Sequence, residues 1–117
     1  MTESAADVCL FCRIANGEIP VPLIAQNAHA VAFRDLHPQA PVHVLVIPRR
    51  HIASLAVATD VEEVGALGLL AAEIARSEGI AEGGYRTVMN TGPDGGQSVL
   101  HMHLHLLGGR AMTWPPG

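Results

Sequence analysis

The chain has 117 residues, a formal net charge of -4 at pH 7, and 49% hydrophobic but only 3% aromatic residues. This length suits one compact domain and leaves no room for a second. The acidic balance, without a long basic run, argues against a nucleic acid polymer as partner, because phosphate backbones select basic surfaces. The apolar surplus favours pairing with a second copy of the chain.

The N-terminus and the cysteines predict a cytoplasmic protein. The opening MTESAADV has neither the cationic nor the apolar region of a secretory signal, and no window is apolar enough to span a membrane. Cys9 and Cys12 are too few and too close for a secreted disulfide scaffold. We therefore expect a reducing compartment and no membrane partner. A single domain is predicted over residues 1–117, with a flexible segment at 1–7 and a C-terminal tail at 111–117.

The first part of the chain predicts one short helix followed by three strands. Gly17 closes the helix, a tight turn containing Asn27 joins the first two strands, and Pro48 ends the third. The third strand is β-branched and apolar, as a central strand would be. In order, these segments are CLFCRIANGEIP, LIAQ, HAVAFRD and VHVLVIP.

The segment TDVEEVGALGLLAAEIARSEGI predicts the one long helix. Thr59 with Glu62 three residues later forms a capping-box pattern, and Gly79 ends the helix. Small residues recur along one stripe at Gly65, Gly68 and Ala72, where each glycine costs about 0.8–1 kcal/mol against alanine. A neighbouring element is expected to approach closely there, and the same helix of a second subunit is our interpretation.

Two more strands, YRTVMN and VLHMHLHLL, are predicted on either side of the loop TGPDGGQS. Strands, then a helix, then strands with short links indicate an α+β domain with a mainly antiparallel sheet.

The last strand carries histidine at every second position. On a strand His101, His103 and His105 share one face, with apolar residues on the other. Three imidazoles in register are improbable as a merely half-buried polar face, because they repel when charged and need partners when buried. A zinc cage of all three strains the geometry, since the outer pair is about 13 Å apart.

Two further features point to chemistry. The two-residue gap between Cys9 and Cys12 matches a zinc half-site, although a redox dithiol or simple buried cysteines remain alternatives. The glycine-rich loop NTGPDGGQS, with donors at Gln97 and Ser98, could cradle an oxyanion, although it is also good chemistry for an ordinary hairpin loop.

The stretch HMHLHLL resembles the His-φ-His-φ-His-φ-φ pattern, φ being apolar, of the histidine triad superfamily of nucleotide hydrolases and transferases. Nearly the whole chain looks like the Hint branch, the purine nucleoside phosphoramidases. The segments that carry this resemblance are FCRIANGEIP, FRDLHPQAPVHVLVIPRRHI, GYRTVMNTGPDGGQSVLHMHLHLLGGR and WPPG. It implies an α+β HIT fold with a five-stranded antiparallel sheet, one long and one short helix, and a ten-stranded sheet across a homodimer.

The resemblance also implies roles for single residues. His103 would attack the α-phosphorus of a purine nucleoside 5'-phosphoramidate, and His105 and Ser98 would contact the phosphate or protonate the leaving nitrogen. Asp35 would bind the ribose hydroxyls, and Trp114 would reach toward the partner's site. The remaining substrate-binding residues implied are Asn90, Gly96, Gln97 and His43 around the phosphate, and Phe11, Ile14, Phe33 and Leu36 around the purine.

Zinc-bearing members of the superfamily share a ligand set that maps here to Cys9, Cys12, His51 and His101. The resemblance therefore implies a structural zinc, with an empty pair of thiols as the alternative. Three other functions stay open: a dinucleoside polyphosphate hydrolase, a nucleotide-binding regulatory module with little turnover, and a metal hydrolase that uses all three triad histidines.

Overall fold

The computed structural model of the chain describes residues 9–117, so the flexible segment predicted at 1–7 lies outside the described residues. The described part contains two α-helices and five strands, and a single turn of 3-10 helix at Leu55–Val57 that the sequence patterns did not predict. The helices are α1 (Leu10–Ala15) and α2 (Val61–Ser77), and the strands are β1 (Ala25–Gln26), β2 (Ala30–Arg34), β3 (Val42–Pro48), β4 (Tyr85–Val88) and β5 (Leu104–Gly108).

The five strands form one antiparallel sheet in the order β1-β2-β3-β5-β4, which confirms the predicted α+β class. The β-branched strand β3 is central, as its composition predicts. Strand β5 lies between β3 and β4, and His105 stands opposite Leu45 on one side and Val88 on the other. The last histidine of the triad therefore lies inside the sheet, between β3 and β4, while His101 and His103 precede the strand.

Alternation along the strands separates the sheet into two faces. Helix α2 covers one face, where Val44 of β3 and Leu106 of β5 are fully buried. The other face carries a smaller cluster that includes the short helix α1: Phe11, Ile14, Val31, Phe33, Leu45 and Ile47. His43 and His105 directly precede Val44 and Leu106 in sequence and therefore point to the opposite face, the one that α1 covers.

Strand β5 begins at Leu104, so the strand predicted from Val99 was too long at its N-terminal end. Continuing the ladder from the pair of Val46 and Leu104 would place Met102 opposite Pro48, which has no N–H to donate. Met102 N instead donates to Ile52 O at 2.6 Å. The side chains still alternate, because Met102 packs in the core with Leu104.

The caps of α2 differ in part from the prediction. The N-cap is Asp60 rather than Thr59: Asp60 Oδ1 accepts a hydrogen bond from Glu62 N at 2.8 Å. A carboxylate directly before the first helical residue also suits the positive end of the helix dipole. The C-terminal end follows the prediction, because Gly79 has φ +76° and Ile80 N donates to Ala75 O at 3.0 Å.

The glycine stripe of α2 lies on the outer surface of the helix. An added Cβ at Gly65 or Gly68 would meet no described atom within 4 Å, and Leu69 beside them is 74% exposed. The close neighbour that the sequence predicts for this stripe is therefore not supplied by residues 9–117. No helix among these residues is long and apolar enough to cross a membrane.

Replacing Gly108 with Ala is expected to lower the free energy of unfolding by about 1–3 kcal/mol. The new Cβ would lie 2.5 Å from Ile80 Cδ1 and 3.1 Å from Ile80 Cβ, inside the packed core. Urea unfolding measures the effect. Gly83→Ala is the matched control, because its Cβ would meet nothing within 4 Å. Equal unfolding midpoints for the two variants would show that the packing of β5 against Ile80 is not as described.

Candidate functional site

Cys9, Cys12, His51 and His101 converge on one point. Cys9 is the N-cap of α1 and Cys12 lies within it, while the histidines follow β3 and precede β5. Cys9 Sγ is 3.3 Å from His101 Nδ1, and Cys12 Sγ is 3.2 Å from His51 Nδ1 and 3.4 Å from His101 Nδ1. All four ligand atoms lie within 4.8 Å of one another. The structure thus brings together the four residues for which the resemblance implied a metal.

The donor chemistry of this cluster fits zinc. In a tetrahedral site with ordinary zinc distances, sulfur and nitrogen ligands are about 3.6 Å apart, close to the separations here. His101 Nε2 donates to Pro48 O at 3.0 Å, so the neutral ring presents the lone pair of Nδ1 to the sulfur atoms. Burial lowers the pKa of His101 to about 4, which keeps the ring neutral. Two thiolates and two neutral imidazoles balance the charge of Zn²⁺.

His103 lies beside this cluster with one nitrogen fixed. Its Nδ1–H donates to His101 O at 2.8 Å, and a carbonyl oxygen can only accept. Nε2 therefore carries the lone pair. The ring is 5% exposed and packs edge-on against Phe11, with centroids 5.3 Å apart. Phe11 also contacts His101, at 5.8 Å, so one aromatic side chain of α1 joins the metal cluster to His103.

His105 is paired with His43 across the sheet. His43 Nε2 is 2.9 Å from His105 Nδ1 and 3.3 Å from Asp35 Oδ2. Burial lowers the pKa of His43, although the Asp35 charge opposes this shift. Burial and the neighbouring charges of His103 and His43 lower the pKa of His105 to about 4. Both imidazoles are therefore neutral near pH 7.

A pocket of about 320 Å³ opens on the face of the sheet that α1 covers. His103 and His105 line one part of its wall, and apolar side chains line most of the rest. Leu36 stands at the rim, 90% exposed. The lining contains Phe11, Ile14, Phe33, Asp35, Leu36, Ser98, His103 and His105, all candidate site residues, together with Leu10, Val21, Arg34, His37, Leu45 and Val99.

The loop before the triad is arranged differently from the predicted anion cradle. Gln97 Nε2 donates to Ala53 O at 2.7 Å and to Val99 O at 2.9 Å. The backbone N–H groups of Gly96 and Gln97 donate to carbonyl oxygens of the same loop. These donors hold the loop, and neither residue lines the pocket, so Ser98 is the loop residue that faces the site.

Three other predicted residues lie outside the pocket wall. His43 is buried behind His105. Asn90 follows the end of β4, and Trp114 is 82% exposed in the tail. Six lining residues were not predicted, and one of them, Leu45, could have been found because it shares a face of β3 with His43.

The stability contributed by neutral His105 should disappear in acid. Its folded pKa of about 4 lies below its ordinary value of 6.5, so the unfolded chain binds more protons between these two values. The free energy of unfolding therefore falls as the pH falls from 6.5 toward 4. We expect a smaller fall in His105→Asn, measured by urea unfolding across this range, whereas His37→Asn, at an exposed histidine, keeps the wild-type slope. Parallel curves for wild type and His105→Asn would contradict this assignment.

The chain is similar to a described family and to several known proteins. The family model described as the HIT domain matches residues 16–112. A 14 kDa zinc-binding protein of Zea mays is 46% identical over 112 residues, which cover 92% of this chain and 87% of the relative. A crystal structure of a HIT family hydrolase from Legionella pneumophila has a TM-score of 0.89 and 50% identity, covering 93% of this chain and 99% of that one. A histidine triad nucleotide-binding protein from Candida albicans has a TM-score of 0.79 and 30% identity, covering 92% and 82%.

Proposed function

Since this chain belongs to the HIT domain family, we propose that it is a nucleotide hydrolase that cleaves the P–N bond of purine nucleoside 5'-phosphoramidates. The similar protein from Legionella pneumophila is described as a hydrolase and the one from Candida albicans as nucleotide-binding. The observation that carries the proposal is the orientation of His103. Its Nδ1–H is held by His101 O, so the free lone pair of Nε2 is available at the pocket wall.

In this proposal His103 Nε2 attacks the α-phosphorus and the P–N bond breaks. The leaving nitrogen takes a proton from solvent through the hydroxyl of Ser98, which is exposed at the pocket, and departs as the amine. A nucleotidyl-histidine remains until water hydrolyses it to the nucleoside monophosphate and a proton returns to solvent. The charge that develops on His103 is shared through its Nδ1–H with the carbonyl of His101. His105 and Ser98 line the same pocket and supply donors to the phosphate oxygens or to the leaving nitrogen.

The nucleoside would lie in the apolar part of the pocket. Phe11 and Phe33, with ring centroids 5.6 Å apart, form with Ile14 a slot for a flat base. Asp35 lines the pocket and accepts the backbone N–H of His37 on Oδ1 at 2.8 Å, which fixes the carboxylate for the ribose hydroxyls. Such a slot holds a purine by its faces and discriminates weakly between adenine and guanine.

Cys9, Cys12, His51 and His101 would hold a zinc ion, and the maize relative is described as zinc-binding. Four protein ligands leave no open position for water, so the ion would supply structural rather than catalytic chemistry. Because Cys9 precedes α1 and Cys12 lies in it together with Phe11, these ligands hold one wall of the nucleotide pocket against the triad. Cysteines are kept reduced in the cytosol, which suits thiolate ligands, so we propose a cytoplasmic location.

The protein is also proposed to act as a homodimer, with one HIT domain per chain of 117 residues. Within residues 9–117, strand β4 is an edge of the sheet and nothing covers Gly65 and Gly68 of α2. A second copy packed on both would form a ten-stranded sheet and could receive Trp114 from its partner.

Gly68→Leu should convert the dimer to a monomer in sedimentation equilibrium, with Gly83→Ala as control. A wild-type protein that sediments as a monomer would contradict the dimer.

Side-by-side rates on adenosine 5'-phosphoramidate and a diadenosine polyphosphate test the proposed reaction. We expect faster hydrolysis of the phosphoramidate, whereas the reverse order would favour the dinucleoside polyphosphate hydrolase. Binding without turnover of either compound would indicate a regulatory module. Immediate loss of activity on adding a chelator would indicate a metal hydrolase, because a closed structural site releases its ion slowly.

A further inference from the structure

A backbone amide fixes the proton of His43. Gln39 N donates to His43 Nδ1 at 3.0 Å. An imidazole nitrogen that accepts a hydrogen bond carries no proton, so the neutral ring of His43 bears its proton on Nε2. Burial lowers the pKa of His43, which favours this neutral ring.

The proton of His43 in turn fixes His105. The Nε2–H of His43 points at His105 Nδ1, 2.9 Å away, with Asp35 Oδ2 as a longer second acceptor at 3.3 Å. His105 Nδ1 is therefore an acceptor, and the proton of this second ring is on its own Nε2. His105 lines the pocket beside His103, so this N–H is the donor available to a bound phosphate.

Asp35, His43 and His105 are spaced as if they could hold a metal ion, with one ligand atom of each within 4.8 Å of the others. The tautomer argues against that use. A metal on His43 Nε2 would require the ring proton on Nδ1, where it would face the N–H of Gln39. The three side chains form a hydrogen-bond chain instead.

The chain of hydrogen bonds begins at Arg110. Gln39 lies in the exposed loop between β2 and β3, where its side-chain Nε2 donates to His37 O. Arg110 donates two hydrogen bonds to the backbone carbonyl of Gln39, from Nε at 3.2 Å and from Nη2 at 2.9 Å. Gly109, with φ +88°, makes this possible, because a Cβ there would lie 2.9 Å from Pro41 Cβ in the same loop.

We propose that Arg110 is a positioning residue for His105. Its guanidinium holds the loop through Gln39 O, the adjacent Gln39 N–H selects the tautomer of His43, and His43 selects the tautomer of His105. The loss of this grip frees the loop, and His43 and His105 then exchange between tautomers. The consequence for turnover rests on the proposed function, whereas the tautomers themselves do not.

Side-chain ¹⁵N NMR of the full-length protein tests the proposal without any substrate. We expect His43 and His105 to carry the proton on Nε2 in the wild type, and to show mixed tautomers in Arg110→Ala. Arg49→Ala is the matched control, because Arg49 also grips one loop carbonyl, that of Asn27, through Nε and Nη2. It should leave both tautomers unchanged. A wild-type His43 with its proton on Nδ1 would overturn the proposal whether or not the variant folds, as would unchanged tautomers in Arg110→Ala.

Kinetics supply a second readout. Arg110→Ala is expected to lower kcat on the phosphoramidate by about 10- to 100-fold, as loss of an orienting residue does, with a smaller effect on KM. Arg110→Lys, which retains one donor, should recover part of both the tautomer and the rate, and Arg49→Ala should stay within about twofold. A fall in rate without any change of tautomer would overturn the proposal. Mixed tautomers in Arg110→Ala with no turnover in the wild type would uphold the tautomer chain and refute the hydrolase.

Discussion

Replacing His103 with Ala is expected to lower kcat on adenosine 5'-phosphoramidate by at least about 10⁴-fold, because the nucleophile itself is lost. The backbone fixes this imidazole, because its Nδ1–H donates to His101 O and leaves the lone pair of Nε2 free at the pocket wall. His103→Asn should be equally inactive while its amide N–H can still donate to that carbonyl. Initial rates for both variants and for the wild type measure the effect.

Measuring nucleotide affinity distinguishes the loss of the nucleophile from unfolding of the variant. The purine slot and Asp35 remain in both variants, so calorimetric affinity for adenosine monophosphate should change by less than about tenfold. His29→Ala, a histidine paired with Glu62 away from the pocket, is the matched control and should keep the wild-type rate. Turnover in His103→Ala at the rate of this control would refute covalent catalysis at His103. Mass spectrometry of quenched wild type should show the nucleotidyl adduct on this residue.

The second large effect is expected at the metal cluster. Cys12→Ser should remove bound zinc and lower the free energy of unfolding by about 3 kcal/mol or more, since metal binding contributes directly to folding. For a chain of this size, that corresponds to a fall in Tm of about 10 °C or more. Nucleotide affinity should fall as well, because α1 carries both Cys12 and the pocket residue Phe11.

Elemental analysis and calorimetry of purified protein measure these changes. We expect about one zinc per chain in the wild type, and less than about half an equivalent would contradict the site. Adding zinc to the chelated wild type should restore its Tm, while the same addition to Cys12→Ser should not. If chelation changed neither the Tm nor nucleotide affinity, α1 would not depend on the metal.

The sequence predicted best where a repeat of side chains coincides with a regular element. The alternation in VHVLVIP located β3 to the residue, and the capping and glycine signals placed α2 to within two residues. The sequence motifs were also sufficient to predict that Cys9, Cys12, His51 and His101 form one cluster, although the first and the last are 92 residues apart.

The features that could not be predicted depend on which individual atoms form hydrogen bonds with each other. The start of β5 is set by the missing N–H of Pro48 on a different strand. The side-chain amide of Gln97 donates to the carbonyl oxygens of Ala53 and Val99, and no local sequence pattern predicts these partners. The tautomers of His43 and His105 follow from one backbone N–H, at Gln39, and require coordinates.

Phe11 links the two ends of the chain, since it sits between two cysteines near the start and packs on two histidines near the end. During synthesis the segment with Phe11 leaves the ribosome before its contact partners, which are about 90 positions later in the sequence, have been made. Forming these contacts then closes a long loop, at an entropic cost. A chain that stops before the triad can complete neither the metal cluster nor the nucleotide pocket. Truncated products of translation should therefore be inert toward nucleotide and exposed to proteolysis.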